Sequence, residues 1–287
     1  MSVFTLLERA ELEAFVAPYG LGRLLDFQGI AAGTENSNFF VSLEAGEYVL
    51  TLVERGQRAD LPFVVELLQR LHAAGLPVPY GVPTRSGECL RELADKPALL
   101  QPRLAGKHIE QPNAHHCAEV GSWLARMHLC TQAQPLERRS DRGLDWMLSE
   151  GPLQALQLDG EALELLRASL AEVAQAQAAV LALPRTNLHA DLFRDNVLFD
   201  GPHLSGVIDF YNACCGPMLY DVAITLNDWC STASGSLDLS RARALLAAYA
   251  SLRPFHPAEA ERWPCMLRSA CLRCRLSRRI APRQPTA

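Results

Sequence analysis

The sequence lacks the features that mark an exported or membrane-bound protein. No apolar run approaches the length of a membrane span, and the first residues, MSVFTLLERAELEAF, carry glutamates but neither a basic region nor a cleavage site. A basic excess is also missing, because the formal net charge is −5. Non-specific binding to nucleic acid needs a basic face that neutralises phosphates. We therefore expect a cytoplasmic protein with no membrane or nucleic-acid partner, and no protein partner is evident.

The cysteines lack the arrangement of a disulfide framework or a zinc site. Nine cysteines are scattered along 287 residues, and without an export signal we expect them to be reduced thiols. The Cys-x-x-Cys pair formed by Cys271 and Cys274 has no second ligand pair beside it in the sequence. Free thiols are therefore the better interpretation of these residues.

The composition and the periodicity of the chain predict an α+β protein with two lobes. Hydrophobic residues make up 49% of the chain and charged residues 21%, which is typical of a globular protein and excludes extended disorder. Strands are predicted over residues 24–30, 39–43, 48–53, 82–83 and 97–102, and a helix over residues 61–74. Helices are predicted over residues 113–131, 161–183 and 239–251. We expect a small β-rich lobe at residues 1–103 and a mainly helical lobe at residues 104–287.

The stretch TNLHADLFRDNVLFDGPHLSGVIDF, residues 186–210, carries the polar groups with the most suggestive spacing. Two apolar pieces are joined by Asp200-Gly201-Pro202, a turn signal, so a hairpin is predicted here. Asn196 and Asp209 then lie at its open end, where two oxygen ligands and substrate phosphates suit Mg²⁺. Asp191 precedes the hairpin and is left available for other chemistry.

These residues also carry a family resemblance. HADLFRDN at residues 189–196, followed by IDF at 208–210 and by Asp221, resembles the signature of the aminoglycoside phosphotransferase and choline kinase superfamily, a branch of the protein-kinase-like fold. The segments GTENSNFFVSL, YVLTLVE and GVIDFYNACCGPMLYDVAITLNDWC further resemble the homoserine kinases of that superfamily. The resemblance covers nearly the whole chain.

The resemblance implies an ATP-dependent kinase that converts L-homoserine to O-phospho-L-homoserine in threonine biosynthesis. Asp191 would be the catalytic base, and Asn196 and Asp209 would hold the Mg²⁺ that bridges the ATP phosphates. His189 would brace the catalytic loop, and Asp221 would support it from the following segment. The N-terminal lobe would bind the nucleotide, and the C-terminal lobe would carry catalysis and the acceptor.

The nucleotide site departs from the pattern of kinases in one respect. The residues expected to contact ATP are Gly33, Thr34, Asn36, Ser37, Asn38, Thr51 and Gln101. Kinases usually present a lysine from the third strand, and the matching position here is Thr51. A cation from elsewhere, such as Arg55 or Arg194, would then help Mg²⁺ to neutralise the phosphates.

The acceptor pocket is expected after the metal-binding aspartate. Tyr211, Asn212 and Asn227 are predicted to form its walls. Asp228 is a candidate for the ammonium of the substrate and Arg194 for its carboxylate, although surface pairing of the two is an equal alternative.

Two other functions stay open at this stage. One is a kinase of the same fold acting on an aminoglycoside, choline or another small amino alcohol, which would favour a more acidic acceptor region. The other is a catalytically silent nucleotide-binding scaffold, which the absence of the strand lysine favours and the presence of Asp191, Asn196 and Asp209 disfavours.

The arginine-rich C-terminal segment has two open interpretations. No acidic residue follows Glu261, and the arginines after it include Arg268, Arg273, Arg275, Arg278, Arg279 and Arg283. One interpretation is an altered or truncated reading frame, and the other is a divergent, solvated tail.

Overall fold

The computed structural model describes residues 5–31, 36–54 and 58–280. The chain divides into two compact units: one comprises Met1–Gly106 and Ser205–Ile208, and the other comprises Lys107–Leu204 and Asp209–Ala287. Within the described part of the chain, none of the helices combines the length and the apolar character that a membrane span requires.

The first unit is built on an antiparallel sheet. Its elements are α1 (Arg9–Val16), β1 (Leu24–Gly29), β2 (Ser37–Leu43), β3 (Gly46–Leu52), α2 (Leu61–Ala73), β4 (Leu90–Leu93) and β5 (Lys96–Pro102). The strand order is β1-β2-β3-β5-β4. Fully buried residues alternate with partly exposed ones along β2, because successive side chains of a strand point to opposite faces. Leu12 and Phe15 of α1 pack in one cluster with Val41, Leu50 and Leu52 of the sheet.

The fourth strand differs from the sequence prediction. The structure places it at Leu90–Leu93 rather than at residues 82–83, and it pairs with β5 through a turn at Ala94 and Asp95. Both turn residues have positive φ, 52° and 59°. Two-residue hairpin turns of this kind usually contain Asn-Gly or Asp-Gly, so Ala-Asp gives only a weak signal in the sequence.

The second unit is mainly helical. It contains α3 (Ala114–Gln132), α4 (Leu144–Ala155), α5 (Gly160–Leu181), β6 (Arg185–Leu188), β7 (Val197–Asp200), β9 (Cys214–Pro217), α6 (Met218–Trp229), α7 (Leu239–Leu252) and α8 (Pro257–Ile280). β6 pairs with β9, and β7 pairs with β8 (His203–Val207) in the predicted hairpin. A β-rich N-terminal region followed by a mainly helical remainder confirms the predicted α+β class.

Two helices of this unit approach each other closely because a glycine lies between them. A Cβ placed on Gly121 of α3 would lie 2.3 Å from the carbonyl oxygen of Leu245 in α7. Real Cβ atoms do not come that close to backbone, so a larger residue would separate the helices.

The same two helices begin with side-chain caps. The Asn113 side chain accepts the His116 N–H at 3.0 Å at the start of α3, and Asp238 caps α7.

The arginine-rich segment is a packed helix up to residue 280 and not a tail, so that interpretation is wrong for the described residues, although Arg268, Arg275, Arg278 and Arg279 are exposed. They lie on α8, whose buried face includes Met266, Ser269, Ala270 and Leu276. Arg273 belongs to the same face and is 3% exposed. Arg283 lies outside the described residues. The helical spacing of this face is the sequence signal that the arginine content obscured.

Candidate active site

The loop between β6 and β7 is stabilised by hydrogen bonds within itself. The buried ring of His189 accepts the backbone N–H of Asp191 on Nδ1 at 3.2 Å. The side-chain amide of Asn196 donates to the carbonyl of Asp191 at 2.8 Å. Ala190 adopts φ 61°, a left-handed conformation that costs a residue with a Cβ on the order of 1 kcal/mol or more. These bonds therefore hold a strained backbone on both sides of Asp191.

Asp221, on the first turn of α6, anchors the same loop. Its carboxylate accepts the backbone N–H of His189 at 2.7 Å and that of Ala190 at 2.9 Å. His128 Nε2 lies 3.2 Å from the same carboxylate, and His128 Nδ1 lies 2.8 Å from the hydroxyl of Tyr249. Burial acts to raise the pKa of Asp221, but His128 and the His189 backbone amide hold it below the usual value. Asp221 is therefore anionic at neutral pH.

The side chain of Asp191 has two partners from distant parts of the chain. Arg273 Nη1 lies 2.8 Å from Oδ1, and the amide of Asn212 donates to Oδ2 at 3.2 Å. The carboxylate is 15% exposed. Burial acts to lower the pKa of Arg273, but the negative charge of Asp191 raises it above its ordinary value, so the guanidinium stays charged. The sequence does not indicate that Arg273 belongs to this site.

The two predicted metal ligands have a chemistry that fits Mg²⁺. Asn196 is buried directly before β7, and Asp209 is an exposed residue after β8 with φ 63°. The Asn196 amide nitrogen is used on the carbonyl of Asp191, which leaves its carbonyl oxygen as the ligand atom. No cluster of three or more His, Cys, Asp or Glu side chains suited to a metal occurs in the described residues. Mg²⁺ needs only one or two protein oxygens when phosphates and water complete its shell, so an amide and a carboxylate suffice.

The side chains predicted to hold the two ends of the substrate hold each other instead. Asp228 Oδ2 accepts the backbone N–H of Arg194 at 2.8 Å and lies 3.2 Å from its Nε. Arg194 Nη1 also donates to the carbonyl of Glu110 at 3.0 Å. Asn227 donates to the carbonyl of Leu267 at 2.9 Å and so ties α6 to α8. The carbonyl of Tyr211 accepts Arg138 Nη1 at 2.9 Å.

The residues predicted to contact the nucleotide belong to the first unit. The Asn36 side chain accepts the Glu54 N–H at 3.1 Å, and the Ser37 hydroxyl donates to the Glu54 carboxylate at 2.6 Å. The Thr51 hydroxyl donates to Asn38 Oδ1 at 2.7 Å. Gln101 donates to the carbonyl of Pro79, and Lys96 pairs with Glu54. Gly33, Thr34 and Arg55 lie outside the described residues.

The sequence of the chain and its fold both match known phosphotransferases. The model of the phosphotransferase enzyme family matches residues 26–255. A solved structure of an amicoumacin kinase in complex with AMP-PNP, Ca²⁺ and Ami superposes with a TM-score of 0.74, covering 98% of this chain and 89% of that one at 15% identity. At that identity the likeness shows the fold alone, and it confirms the predicted protein-kinase-like fold. Fold and family model together define a phosphotransferase.

Relatives with higher sequence identity show which kind of phosphotransferase the chain resembles. A homoserine kinase of Pseudomonas aeruginosa (strain UCBPP-PA14) is 68% identical over 281 residues, which are 98% of this chain and 89% of the relative. A homoserine kinase of Methylobacillus flagellatus is 43% identical over 278 residues, which are 97% of this chain and 86% of the relative. The chain belongs to the homoserine kinases of the phosphotransferase enzyme family, as its motifs indicate.

Proposed function

We propose that the chain is an ATP-dependent kinase that phosphorylates the hydroxyl of L-homoserine, a step of threonine biosynthesis. The observation that carries this proposal is the 68% identity to a homoserine kinase over 98% of the chain. The anchored loop around Asp191 supplies the chemistry that such a reaction needs.

Asp191 is the proposed general base. The hydroxyl oxygen of the acceptor forms a bond to the γ-phosphorus of ATP, and the bond from that phosphorus to the bridging oxygen breaks, so ADP leaves with the bonding electrons. The proton of the hydroxyl passes to the carboxylate of Asp191. A positioned base of this kind contributes roughly 10²–10⁴ in rate. The bonds that fix His189, Ala190 and Asn196 support the role, because they hold the backbone of the base in place.

Asn196 and Asp209 are the residues that would hold Mg²⁺. The ion would supply positive charge to the phosphate oxygens of ATP when bound. The protein contributes one amide oxygen and one carboxylate, and the Asn196 oxygen is positioned by the bond that its own amide nitrogen makes to the Asp191 carbonyl.

Residues 1–103 are the proposed nucleotide-binding lobe, and residues 104–287 the catalytic and acceptor-binding lobe. Gly33, Thr34, Asn36, Ser37, Asn38, Thr51 and Gln101 remain the proposed ATP contacts. Thr51 offers a hydroxyl but no charge at the position where kinases usually have lysine. The metal and other cations must therefore neutralise more of the phosphate charge.

ADP release by the purified protein tests the proposal. The protein is incubated with MgATP and, in turn, L-homoserine, choline and kanamycin. We expect turnover with homoserine alone, while turnover with choline or kanamycin would move the assignment to another amino-alcohol kinase. No turnover with any acceptor would favour a silent scaffold. ATP and a free amino acid as substrates imply a cytoplasmic location, which is part of the same proposal.

A further inference from the structure

A small recess of the second unit lies beside Asp191 and has arginines in its wall. Its lining includes Arg142, Ala190, Asn212, Tyr220 and Arg273. Asn212 and Arg273 are also the two residues that contact the Asp191 carboxylate. The recess therefore adjoins the group that is proposed to accept the proton of the acceptor.

Arg273 is a buried cation to which the proposed mechanism assigns no role. Its side chain is 3% exposed and its guanidinium lies 5.6 Å from the ring centroid of Phe193. A buried charge is costly unless it is paired, and Arg273 is paired with the Asp191 carboxylate. A guanidinium carries N–H donors in a fixed fork, and contact through Nη1 to Asp191 leaves others to bind a second carboxylate.

The charges around the recess distinguish between classes of acceptor. Arg142 and Arg273 both line it, and they favour an anionic group over the ammonium groups of an aminoglycoside or the quaternary ammonium of choline. Asp141 lines the recess as well, but its carboxylate pairs with Arg138 at 2.8 Å. By its charge, this wall favours an alcohol that carries its own carboxylate.

We infer that Arg273 binds the α-carboxylate of the acceptor and thereby selects hydroxy amino acids. This inference rests on the proposed kinase function and assigns substrate specificity to Arg273. Four bonds separate the hydroxyl oxygen of homoserine from its carboxylate carbon, a span of about 5 Å. A molecule of this length can place its hydroxyl at Asp191 and its carboxylate at Arg273, because the two side chains lie 2.8 Å apart. Arg273 takes the role expected of Arg194, which is occupied by Asp228 and the Glu110 carbonyl.

The test compares two acceptors that differ by one carboxylate. L-Homoserine and 3-aminopropan-1-ol share the hydroxyl, the amine and the carbon spacing. We expect Arg273→Gln to lower kcat/KM for homoserine roughly 10- to 100-fold, the effect of losing hydrogen bonds between charged groups. 3-Aminopropan-1-ol has no carboxylate, so its kcat/KM should fall only by the part of the loss that acts through Asp191, which leaves a fall roughly 10-fold smaller than that for homoserine. Arg268→Gln, an exposed arginine of the same helix paired with Glu172, is the matched control and should affect neither acceptor.

Equal losses with both acceptors would overturn the inference, because Arg273 would then act only through Asp191. If turnover of 3-aminopropan-1-ol is too slow to measure, calorimetric binding of L-2-aminobutyrate, which is homoserine without its hydroxyl oxygen, decides instead. That binding must weaken at least 10-fold in the Arg273→Gln variant, and unchanged binding would reject the carboxylate contact. Failure of the wild-type protein to phosphorylate homoserine would reject the proposed function itself, so the two failures are distinguishable.

Discussion

Asp191 belongs to the loop between β6 and β7, and Asp221 of α6 binds the same loop. The two carboxylates differ in burial and in the groups that surround them. Asp221 is 0% exposed and accepts two backbone N–H groups in addition to its contact with His128. The Asp191 side chain is 15% exposed, and the partners of its carboxylate among the described residues are the side chains of Arg273 and Asn212. Side chains can exchange partners when a substrate arrives, whereas backbone amides of a fixed loop cannot do so without moving the loop.

We propose that this difference separates an anchoring carboxylate, Asp221, from a reactive one, Asp191. Burial acts to raise the pKa of Asp221, but His128 and the backbone amide of His189 lower it, so the carboxylate stays ionised and fixed. Asp191 sits on the backbone that Asp221 holds, and its own carboxylate adjoins the recess lined by Arg142 and Arg273. The predictions that follow test this division of roles.

Asp191→Asn should change turnover far more than stability. Removing the general base should lower kcat for L-homoserine roughly 10²- to 10⁴-fold, which corresponds to about 3–5 kcal/mol of barrier. Binding of ATP, measured by calorimetry, and the thermal midpoint should stay close to those of the wild-type protein. Asp195→Asn, an exposed carboxylate of the same loop, is the control and should retain activity within about 3-fold. A kcat for Asp191→Asn equal to that of the wild type would remove Asp191 from the mechanism.

Asp221→Asn should change stability more than turnover. The amide oxygen cannot replace both carboxylate oxygens, and the new N–H₂ group faces backbone donors, so the loop loses its anchor. Breaking a buried charged contact of this kind costs about 3–5 kcal/mol of the free energy of unfolding. Urea unfolding measures it, with Asp145→Asn, an exposed partner of Arg139, as a control expected to change by less than about 1 kcal/mol. A stable but inactive Asp221→Asn would mean that Asp221 acts in the chemistry and not as an anchor.

The sequence predicts the parts of this site that are close together in the chain. His189, Asp191 and Asn196 fall within one short motif, and the Asp200-Gly201-Pro202 turn indicates the hairpin that brings Asn196 and Asp209 to one end. Turn chemistry and alternation are local signals, so the strands β1, β2 and β3 are also predicted within a few residues.

The contacts that the sequence does not predict join distant segments. Arg273 and Asp191 meet only because α8 packs against α6, and nothing local to either residue indicates the pairing. The content of arginine in the segment left a solvated tail open as an interpretation, although Met266, Ala270, Arg273 and Leu276 follow the spacing of one helical face. The sequence does not indicate the contacts of His128 either, because its partners Asp221 and Tyr249 come from two other helices.

His128→Ala should weaken the hold of Asp221 on the loop that carries Asp191 without removing it. The substitution deletes the contact to Asp221 and the contact to Tyr249, and hydrogen bonds to a charged group contribute about 1.5–3 kcal/mol. Tyr249→Phe removes only the hydroxyl that His128 meets, so it should cost about 1 kcal/mol or less. Both values come from urea unfolding. If Tyr249→Phe costs as much as His128→Ala, the stabilisation lies in the contact between His128 and the Tyr249 hydroxyl and not in the contact of His128 with Asp221.

The smallest expected effect is the dependence of the anchor on pH. The pKa of Asp221 is lowered in the folded protein, because His128 and the His189 backbone amide outweigh the burial that acts to raise it. A carboxyl with a lowered folded pKa stabilises the fold fully above its unfolded pKa, about 3.9, and loses that contribution as the pH falls through the folded value. The difference in thermal midpoint between the wild type and Asp221→Asn should therefore be constant from pH 7 to about pH 5 and should shrink below about pH 4. A difference that stays constant to pH 3 would mean that the charge of Asp221 contributes nothing, and that shape alone holds the loop.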